Sequence, residues 1–169
     1  MEATDHKAGA SAQDEAELRG ILTDQTEALR QKDVEALVMH YAPGVLISDL
    51  APPLTHRGID SAGLTAWLET WDGPIGLDQR DLVFTLGDPL AFATSLNRMT
   101  GRKRDGEEVD VWFRATVCFE KSAGRWRVVH EHTSVPFHMD GSLRAAVDLM
   151  PPGPIPADAI STTSRGARA

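Results

Sequence analysis

The chain contains little cysteine and comparatively little positive charge. Cys118 is the only cysteine among 169 residues, which excludes an intramolecular disulfide and a multi-cysteine metal cluster and favours a reducing compartment. Lysine and arginine number 17 against 25 acidic residues, and the net charge of −8 argues against binding along a nucleic-acid backbone. The sequence has neither an apolar run near the ~20 residues of a membrane span nor the apolar core of a signal peptide. We therefore expect a cytoplasmic protein that binds neither nucleic acid nor membranes.

The amino-acid composition of the chain is typical of one globular domain. Hydrophobic residues make up 41% of the chain and charged residues 25%, as in ordinary folded domains. Residues 1–12 are small and polar without periodicity, and residues 151–169 are rich in proline, glycine and small polar side chains. We predict a disordered N-terminal segment over 1–12, one folded domain over 13–150 and a disordered tail over 151–169.

Three helices are predicted in the first half of the chain. The first has an apolar stripe, interrupted by the polar Gln25, that consists of Leu18, Ile21, Leu22 and Leu29. A second, short helix follows Asp33, which is a suitable N-cap. The third begins after Asp60 or Ser61 and carries a bulky stripe of Leu64, Trp67, Leu68 and Trp71.

Strands are predicted for most of the remainder. An early strand covers 45–49, and four longer ones cover 75–86, 90–103, 107–121 and 125–134. Glycine, aspartate and proline occupy the turns between the longer strands, as hairpin connections require. The order of helices and strands predicts an α+β fold, in which a bent antiparallel sheet packs over three N-terminal helices.

The last hairpin determines which side chains reach the interior. Side chains alternate between the two faces of a strand, and one face of the penultimate strand is apolar. Pairing Phe119 with Trp126 turns His130 and His132 towards that apolar face. A slip of one residue would turn both histidines outward and bury Glu131 instead. We predict the first register, because an unpaired buried carboxylate is costly.

Three strings, in this order, carry a resemblance to a known superfamily: KDVEALVMHYAPGVLISD (32–49), HRGIDSAGLTAWL (56–68) and GRWRVVHEHTSVPF (124–137). Over about residues 14–138 the chain resembles the SnoaL-like branch of the nuclear-transport-factor-two-like (NTF2-like) superfamily, which includes ketosteroid isomerase. The resemblance implies a cone-shaped α+β barrel with a hydrophobic pocket between the bent sheet and its helices. It also implies a homodimer that forms through the outer face of the sheet.

The resemblance places a general base at Asp49, because a similar stretch in ketosteroid isomerase ends in the catalytic aspartate. The two oxyanion-hole donors of that enzyme correspond here to Gln25 and Ala115, and alanine donates no hydrogen bond. We therefore do not expect steroid isomerisation. The string from His130 to Pro136 also resembles the association domain of calcium/calmodulin-dependent kinase, an assembly module without catalytic activity.

Asp49, His130 and His132 are the candidate catalytic residues. Asp49 shares a strand face with Val45 and Ile47, and an apolar cavity would raise its pKa by desolvation. Its alternative role is to cap the loop that follows. The histidines could transfer protons or bind substrate, or they could be hydrogen-bonded core residues. No third ligand with diagnostic spacing is evident, so we assign no metal.

The candidate substrate-binding residues are Gln25, Tyr41, Trp67, Trp71, Arg98 and Phe113. Packing or a structural hydrogen bond is the alternative for each of them. A two-residue turn at Asp105-Gly106 would place Arg98 opposite Phe113 on the cavity face, where it would favour an anionic ligand or a salt bridge to Asp49. The sequence has no glycine-rich phosphate loop and no nucleophile elbow, so we expect no cofactor.

These features predict a cavity protein that binds a hydrophobic small molecule. Acid–base proton transfer would make it a cofactor-independent isomerase, cyclase or dehydratase. The alternatives are a ligand-binding or dimerisation module of the same fold without catalysis, and a structural role in which Trp67, Trp71 and Phe113 fill the cavity.

Overall fold

The computed structural model describes residues 5–153, with side chains from residue 12 onward. Helix α1 runs from Asp5 to Gln31 and therefore begins inside the segment predicted to lack structure. A helix that is already nucleated extends at little cost, which permits this longer start. The parts of the disorder prediction that concern residues 1–4 and 154–169 lie outside the described residues. None of the helices described is long and apolar enough to cross a membrane.

The other two helices are short and begin at the expected caps. Helix α2 spans Val34–Val38, and the Asp33 side chain accepts a hydrogen bond from the backbone N–H of Ala36 at 3.0 Å. Helix α3 spans Ser61–Glu69, and Asp60 accepts from the N–H of Gly63 at 3.0 Å. Each carboxylate satisfies a backbone donor that the first helical turn leaves without a partner.

Six strands form one open sheet: β1 Tyr41–Ser48, β2 His56–Arg57, β3 Trp71–Thr85, β4 Leu90–Lys103, β5 Glu108–Ser122 and β6 Arg125–Ser134. Their order across the sheet is β2-β1-β6-β5-β4-β3. β1 and β6 are parallel, and the other neighbours are antiparallel. The prediction of an α+β fold with three helices and a sheet is confirmed.

Helix α3 is shorter than its apolar stripe indicates. The helix ends at Glu69, and Trp71 is the first residue of β3, where it pairs with Lys103. Trp71 is fully buried and packs with Leu68 and Ile75. Strand pairing and burial therefore override the helical spacing that placed Trp71 on the same stripe as Trp67.

The register of β4 against β5 differs from the prediction by one residue. The connection has three residues, Arg104–Gly106, closed by a hydrogen bond from the N–H of Lys103 to the carbonyl of Glu107. Gly106 adopts a φ of 94°, as the last position of such a loop requires. Consequently Arg98 pairs with Trp112, and Asn97 takes the place opposite Phe113. The expectation that Arg98 faces the cavity is wrong.

The register of β6 changes within the strand. A two-residue turn at Ala123-Gly124 starts the hairpin, and Phe119 pairs with Val128. The next pair joins Cys118 to His130, so Val129 is an extra, bulged residue. Beyond this bulge the side chains change faces. The predicted inward orientation of His130 and His132 is therefore wrong, and Glu131 takes the inner face.

Two separate apolar clusters lie on the inner face of the sheet, the face that carries Val117 and Phe119. The larger cluster joins α1 to the sheet through Leu18, Ile21, Leu22, Val45, Ile47, Ala91, Ala93, Val117, Phe119, Trp126 and Val128. The smaller one joins α3 to β3 through Leu68, Trp71 and Ile75. Polar side chains therefore remain on the inner face, outside both cores, and they define the candidate site.

Candidate functional site

A carboxyl group and a phenol form the centre of the site. Tyr41, at the start of β1, donates its hydroxyl hydrogen to Oε2 of Glu131 on β6 at 2.5 Å. Burial raises the pKa of Glu131 above its usual value, while the hydrogen bond from Tyr41 and the nearby His130 oppose the rise. Burial and the negative charge of Glu131 raise the pKa of Tyr41 well above its usual value. The pair combines a weakened acid with a phenol that stays protonated.

Glu131 and Tyr41 lie deep in the protein but are not sealed. Protein atoms crowd both groups, and desolvation is the largest cause of both pKa shifts. Both residues nevertheless keep a partly accessible surface. The second carboxylate oxygen of Glu131, Oε1, makes no hydrogen bond to the described residues. The pair is therefore desolvated without being wholly cut off from the protein surface.

Gln25 brings a buried amide from α1 to this pair. Its side chain adjoins the Tyr41 hydroxyl and partly offsets the rise in the Tyr41 pKa. Its Nε2 atom is shielded from solvent but lacks a hydrogen-bond partner of good geometry among the described residues. A buried donor without a partner is uncommon and costs stability. Gln25 can therefore donate to an oxygen that the protein itself does not supply.

Asp49 follows β1 and lies at the solvent-exposed edge of this region rather than inside it. Its side chain is 45% exposed, and its Oδ1 accepts a hydrogen bond from the N–H of Ala51 at 3.1 Å. The expectation of a desolvated Asp49 is wrong, because the strand ends at Ser48 and the loop beyond it turns into solvent. The Asp49 charge still acts on both Glu131 and Tyr41.

His56 on β2 lies beside Asp49 at this exposed edge. Its Nδ1 atom lies 3.1 Å from the carbonyl oxygen of Gly58, which only accepts, so Nδ1 carries a hydrogen. Its Nε2 atom lies 3.8 Å from Oδ2 of Asp49. At this distance the two groups form an ion pair when the imidazole is protonated, but no hydrogen bond. Asp49 and His56 form an accessible acid–base pair beside the buried one.

A row of small and polar side chains extends the site across the sheet. Thr133 on β6 and Ser95 on β4 flank Ala115 on β5, and Asn97 follows opposite Phe113. Asn97 and Thr133 are buried, and Ser95 donates to Oδ1 of Asn97 at 2.8 Å. This row, with Glu131, is the polar belt of the inner face.

The other residues predicted to form the site do not lie together. His130 donates from Nδ1 to the carbonyl of Leu46 at 2.8 Å, and His132 is exposed. Arg98 forms a bidentate pair with Asp110 on the outer face, with N–O distances of 2.7 and 2.6 Å.

The predicted binding residues Trp67 and Trp71 lie together at the other end of the sheet, with ring centroids 5.6 Å apart. Phe113 is on the inner face, as predicted, beside the polar belt.

Two surface cavities lie away from the carboxyl–phenol pair. One, of about 370 Å³, is apolar and includes Leu90, Phe92 and Cys118 near the β3–β4 turn. The other, of about 510 Å³, includes Lys103 and Glu107. Within the described part of the chain, no group of three or more histidine, cysteine, aspartate or glutamate residues could hold a metal ion. The arrangement around Glu131 thus offers proton transfer and hydrogen bonding.

Sequence reasoning missed Glu131, Asn97, Thr133 and His56. Glu131 faces inward only in the register that we did not predict. The alternation of side chains within the string VVHEHTS was the only sequence feature that could have indicated it. The inward position of Asn97 was not predicted, because it depends on the length of the turn between β4 and β5. His56 carried no signal, because its contact with Asp49 spans the pairing of two strands.

Three helices packed on an open, six-stranded sheet with a partly polar inner face define an α+β cone of the NTF2-like class. A family model for the SnoaL-like domain matches residues 18–138. The chain belongs to the SnoaL-like domain family. No curated protein matches the chain significantly.

Solved structures agree with this assignment. An NTF2-like protein of unknown function from Pseudomonas putida KT2440 is 29% identical, with a TM-score of 0.74, covering 83% of this chain and 99% of that one. An NTF2-like protein with a cystatin-like fold from Novosphingobium aromaticivorans is 17% identical (TM-score 0.64, coverage 86% and 96%). A hexachlorocyclohexane dehydrochlorinase from Novosphingobium barchaimii LL02 is 11% identical (TM-score 0.62, coverage 72% and 86%). At 17% and 11% identity the likeness concerns the fold alone.

Proposed function

We propose that this protein is a cofactor-independent acid–base catalyst, an isomerase or lyase, that acts on a small hydrophobic molecule held between α1 and the polar belt. The observation that carries the proposal is the buried hydrogen bond from Tyr41 to Glu131. A carboxyl group whose pKa is raised by burial is closer to the value that suits a general base at neutral pH. Glu131 takes the role that the sequence assigned to Asp49.

In this mechanism Glu131 removes a proton from a carbon next to a carbonyl group. Its Oε1 atom receives the proton, while Oε2 keeps its hydrogen bond to Tyr41. The buried Nε2 of Gln25 donates to the carbonyl oxygen, where negative charge develops. Return of the proton to a different atom gives isomerisation, and loss of a leaving group gives elimination.

Asp49 and His56 connect the buried pair to solvent. The His56 and Asp49 side chains are 34% and 45% exposed, so both contact water. In the proposed mechanism, protons that Glu131 gains pass to solvent by way of this exposed pair. His130 and His132 have no part in the mechanism, because their side chains leave the inner face at the Val129 bulge.

The dehydrochlorinase indicates that a fold of this kind can host an elimination reaction. The sequence identity is too low to transfer its substrate or its catalytic residues. The proposal therefore rests on the contacts of Glu131, Tyr41 and Gln25.

Hydrogen exchange tests the proposal without knowledge of the natural substrate. Neutral cyclic ketones are incubated with the protein in D₂O, and NMR follows deuterium uptake next to the carbonyl. We expect exchange above the buffer rate that Glu131→Gln abolishes. Glu120→Gln is the matched control, because Glu120 is exposed on the outer face of β5. Exchange that survives Glu131→Gln contradicts the proposal.

A second candidate function is an assembly module without catalysis. It is favoured by exposed apolar residues on the outer sheet face, where Val83, Leu90 and Phe92 are 44%, 58% and 41% exposed. Such a patch is typical of a protein interface, and a homodimer through this face would cover it. Sedimentation of the wild-type chain and of Phe92→Asp tests this: the wild type should dimerise and the variant should not. Equal dimerisation of the two excludes this face.

A further inference from the structure

An apolar cavity lies on the outer face of the sheet, at the turn between β3 and β4. Its volume is about 370 Å³, and its lining includes Leu90, Phe92 and Cys118. The side chains of these three residues lie on the outer face, because their positions alternate with those of the inward Ala91 and Phe119. Leu90 and Phe92 are 58% and 41% exposed. Exposed apolar side chains that surround a cavity are typical of a surface that binds another apolar group.

The described part of the chain ends on this same face. The guanidinium of Arg80, on β3, donates to the backbone carbonyl of Pro152 at 2.8 Å. Arg80 pairs with Leu96 on β4. Leu96 is four residues from Phe92 along that strand, so both side chains point outward. The contact with Arg80 therefore holds residue 152 near the sheet face that contains the cavity, and residues 154–169 continue from there.

We infer that the C-terminal segment docks on its own sheet, and that Ile160 fills the apolar cavity between its two apolar walls, Leu90 and Phe92. The occupant is thus a part of this chain that lies outside the described residues. Docking is independent of the proposed reaction, because the cavity walls lie on the face opposite Glu131.

The length of chain beyond Pro152 identifies the occupant. The two apolar walls of the cavity are four and six residues from Leu96 along β4, about 13 and 20 Å at ~3.3 Å per residue. An extended chain spans at most ~3.6 Å per residue, so Ile155 reaches ~11 Å from Pro152 and Ile160 reaches ~29 Å. Ile160 is therefore the first large apolar side chain beyond Pro152 that reaches past both walls.

Tethering favours this occupant over a second copy of the chain. A tethered segment binds at an effective concentration in the millimolar range, whereas another chain must supply its side chain from solution. Docking removes Ile160 and the exposed parts of Leu90 and Phe92 from water, which is favourable for apolar surface. The docked segment covers the same two residues on which the assembly alternative depends. Docking and dimerisation through this face therefore exclude each other.

Contacts between methyl groups test the docking directly. The full chain is prepared with ¹³C-labelled isoleucine and leucine methyl groups, and nuclear Overhauser effects are recorded from Ile160. We expect a contact with Leu90. A mixture of labelled and unlabelled chains, recorded so that only contacts between chains are detected, should show none. The absence of any contact overturns the inference, and a contact found only between chains overturns it in favour of the assembly alternative.

Cys118 supplies a second test, because it lies in the cavity lining and is the only cysteine of the chain. Its rate of alkylation by N-ethylmaleimide at a fixed pH reports how far the cavity is covered. Ile160→Asp should lower the docking equilibrium at least about tenfold, since it loses the burial of an isoleucine, and should therefore speed the alkylation. Ile155→Asp is the matched control and should react like the wild type. Equal rates for all three chains, or equal acceleration by both substitutions, overturn the inference.

Discussion

Replacing Glu131 by glutamine tests whether this carboxyl group is withdrawn from water. Glutamine keeps an oxygen that can accept the Tyr41 hydroxyl hydrogen but removes the charge. Burial raises the folded-state pKa of Glu131 above the ordinary value of 4.5. A carboxyl group with a raised folded-state pKa costs no stability below its unfolded pKa. Its cost grows as the pH rises through the folded-state pKa, because folding then opposes ionisation.

The size of this stability cost follows from the difference between the pKa of Glu131 in the folded chain and its pKa in the unfolded chain. Each unit of separation corresponds to about 1.4 kcal/mol of unfolding free energy at high pH. In a chain of this size each kcal/mol shifts the melting temperature by about 2–4 °C. Desolvation favours the protonated form, whereas Tyr41 and His130 favour the carboxylate, so the net cost is smaller than for an isolated buried charge.

Urea unfolding at about pH 4, 6 and 8 gives the required free energies. The wild-type chain should lose stability relative to Glu131→Gln as the pH rises, and Glu120→Gln should follow the wild type. If the difference between wild type and Glu131→Gln is the same at every pH, Glu131 is not desolvated. The proposed catalyst would then lack its tuned base.

Three further substitutions test contacts away from the buried pair. Lys103→Met should cost about 1 kcal/mol in urea unfolding, because the ammonium loses its place over the Trp71 ring, and an unchanged midpoint would refute that contact. Gly101→Ala should cost about 1–3 kcal/mol, because a Cβ would meet the Trp71 ring at 2.9 Å, and a neutral result would require the ring to move freely. Asp60→Ala should cost about 1 kcal/mol by removing the cap of α3, whereas Asp60→Asn should recover most of it.

The elements that depend on local chemistry were predictable. Asp33 and Asp60 cap their helices as expected, because an N-cap carboxylate reaches backbone donors only three residues away. The strand over 90–103 has the predicted bounds, since glycine, proline and aspartate occupy the turns on either side. The apolar stripe of α1, including Leu18 and Ile21, is buried as its spacing indicates.

The elements that depend on pairing between distant strands were not predictable. Trp71 fits a helical stripe, but its partner Lys103 draws it into β3. The loop at Asp105-Gly106 closes with one residue more than the shortest hairpin, which turns Arg98 outward. Neither outcome has a marker in the neighbouring sequence, because each is decided by packing across the sheet.

The Val129 bulge shows how little change is needed to alter the chemistry of this site. Strand side chains alternate with a period of two, so one extra residue exchanges the faces of everything beyond it. Without the bulge the inner face would receive His130 and His132, whereas with it the inner face receives Glu131 and Thr133. A carboxylate becomes a stronger base as its pKa rises towards neutrality. Burial raises the pKa of Glu131 in this direction, although the hydrogen bond from Tyr41 opposes the rise.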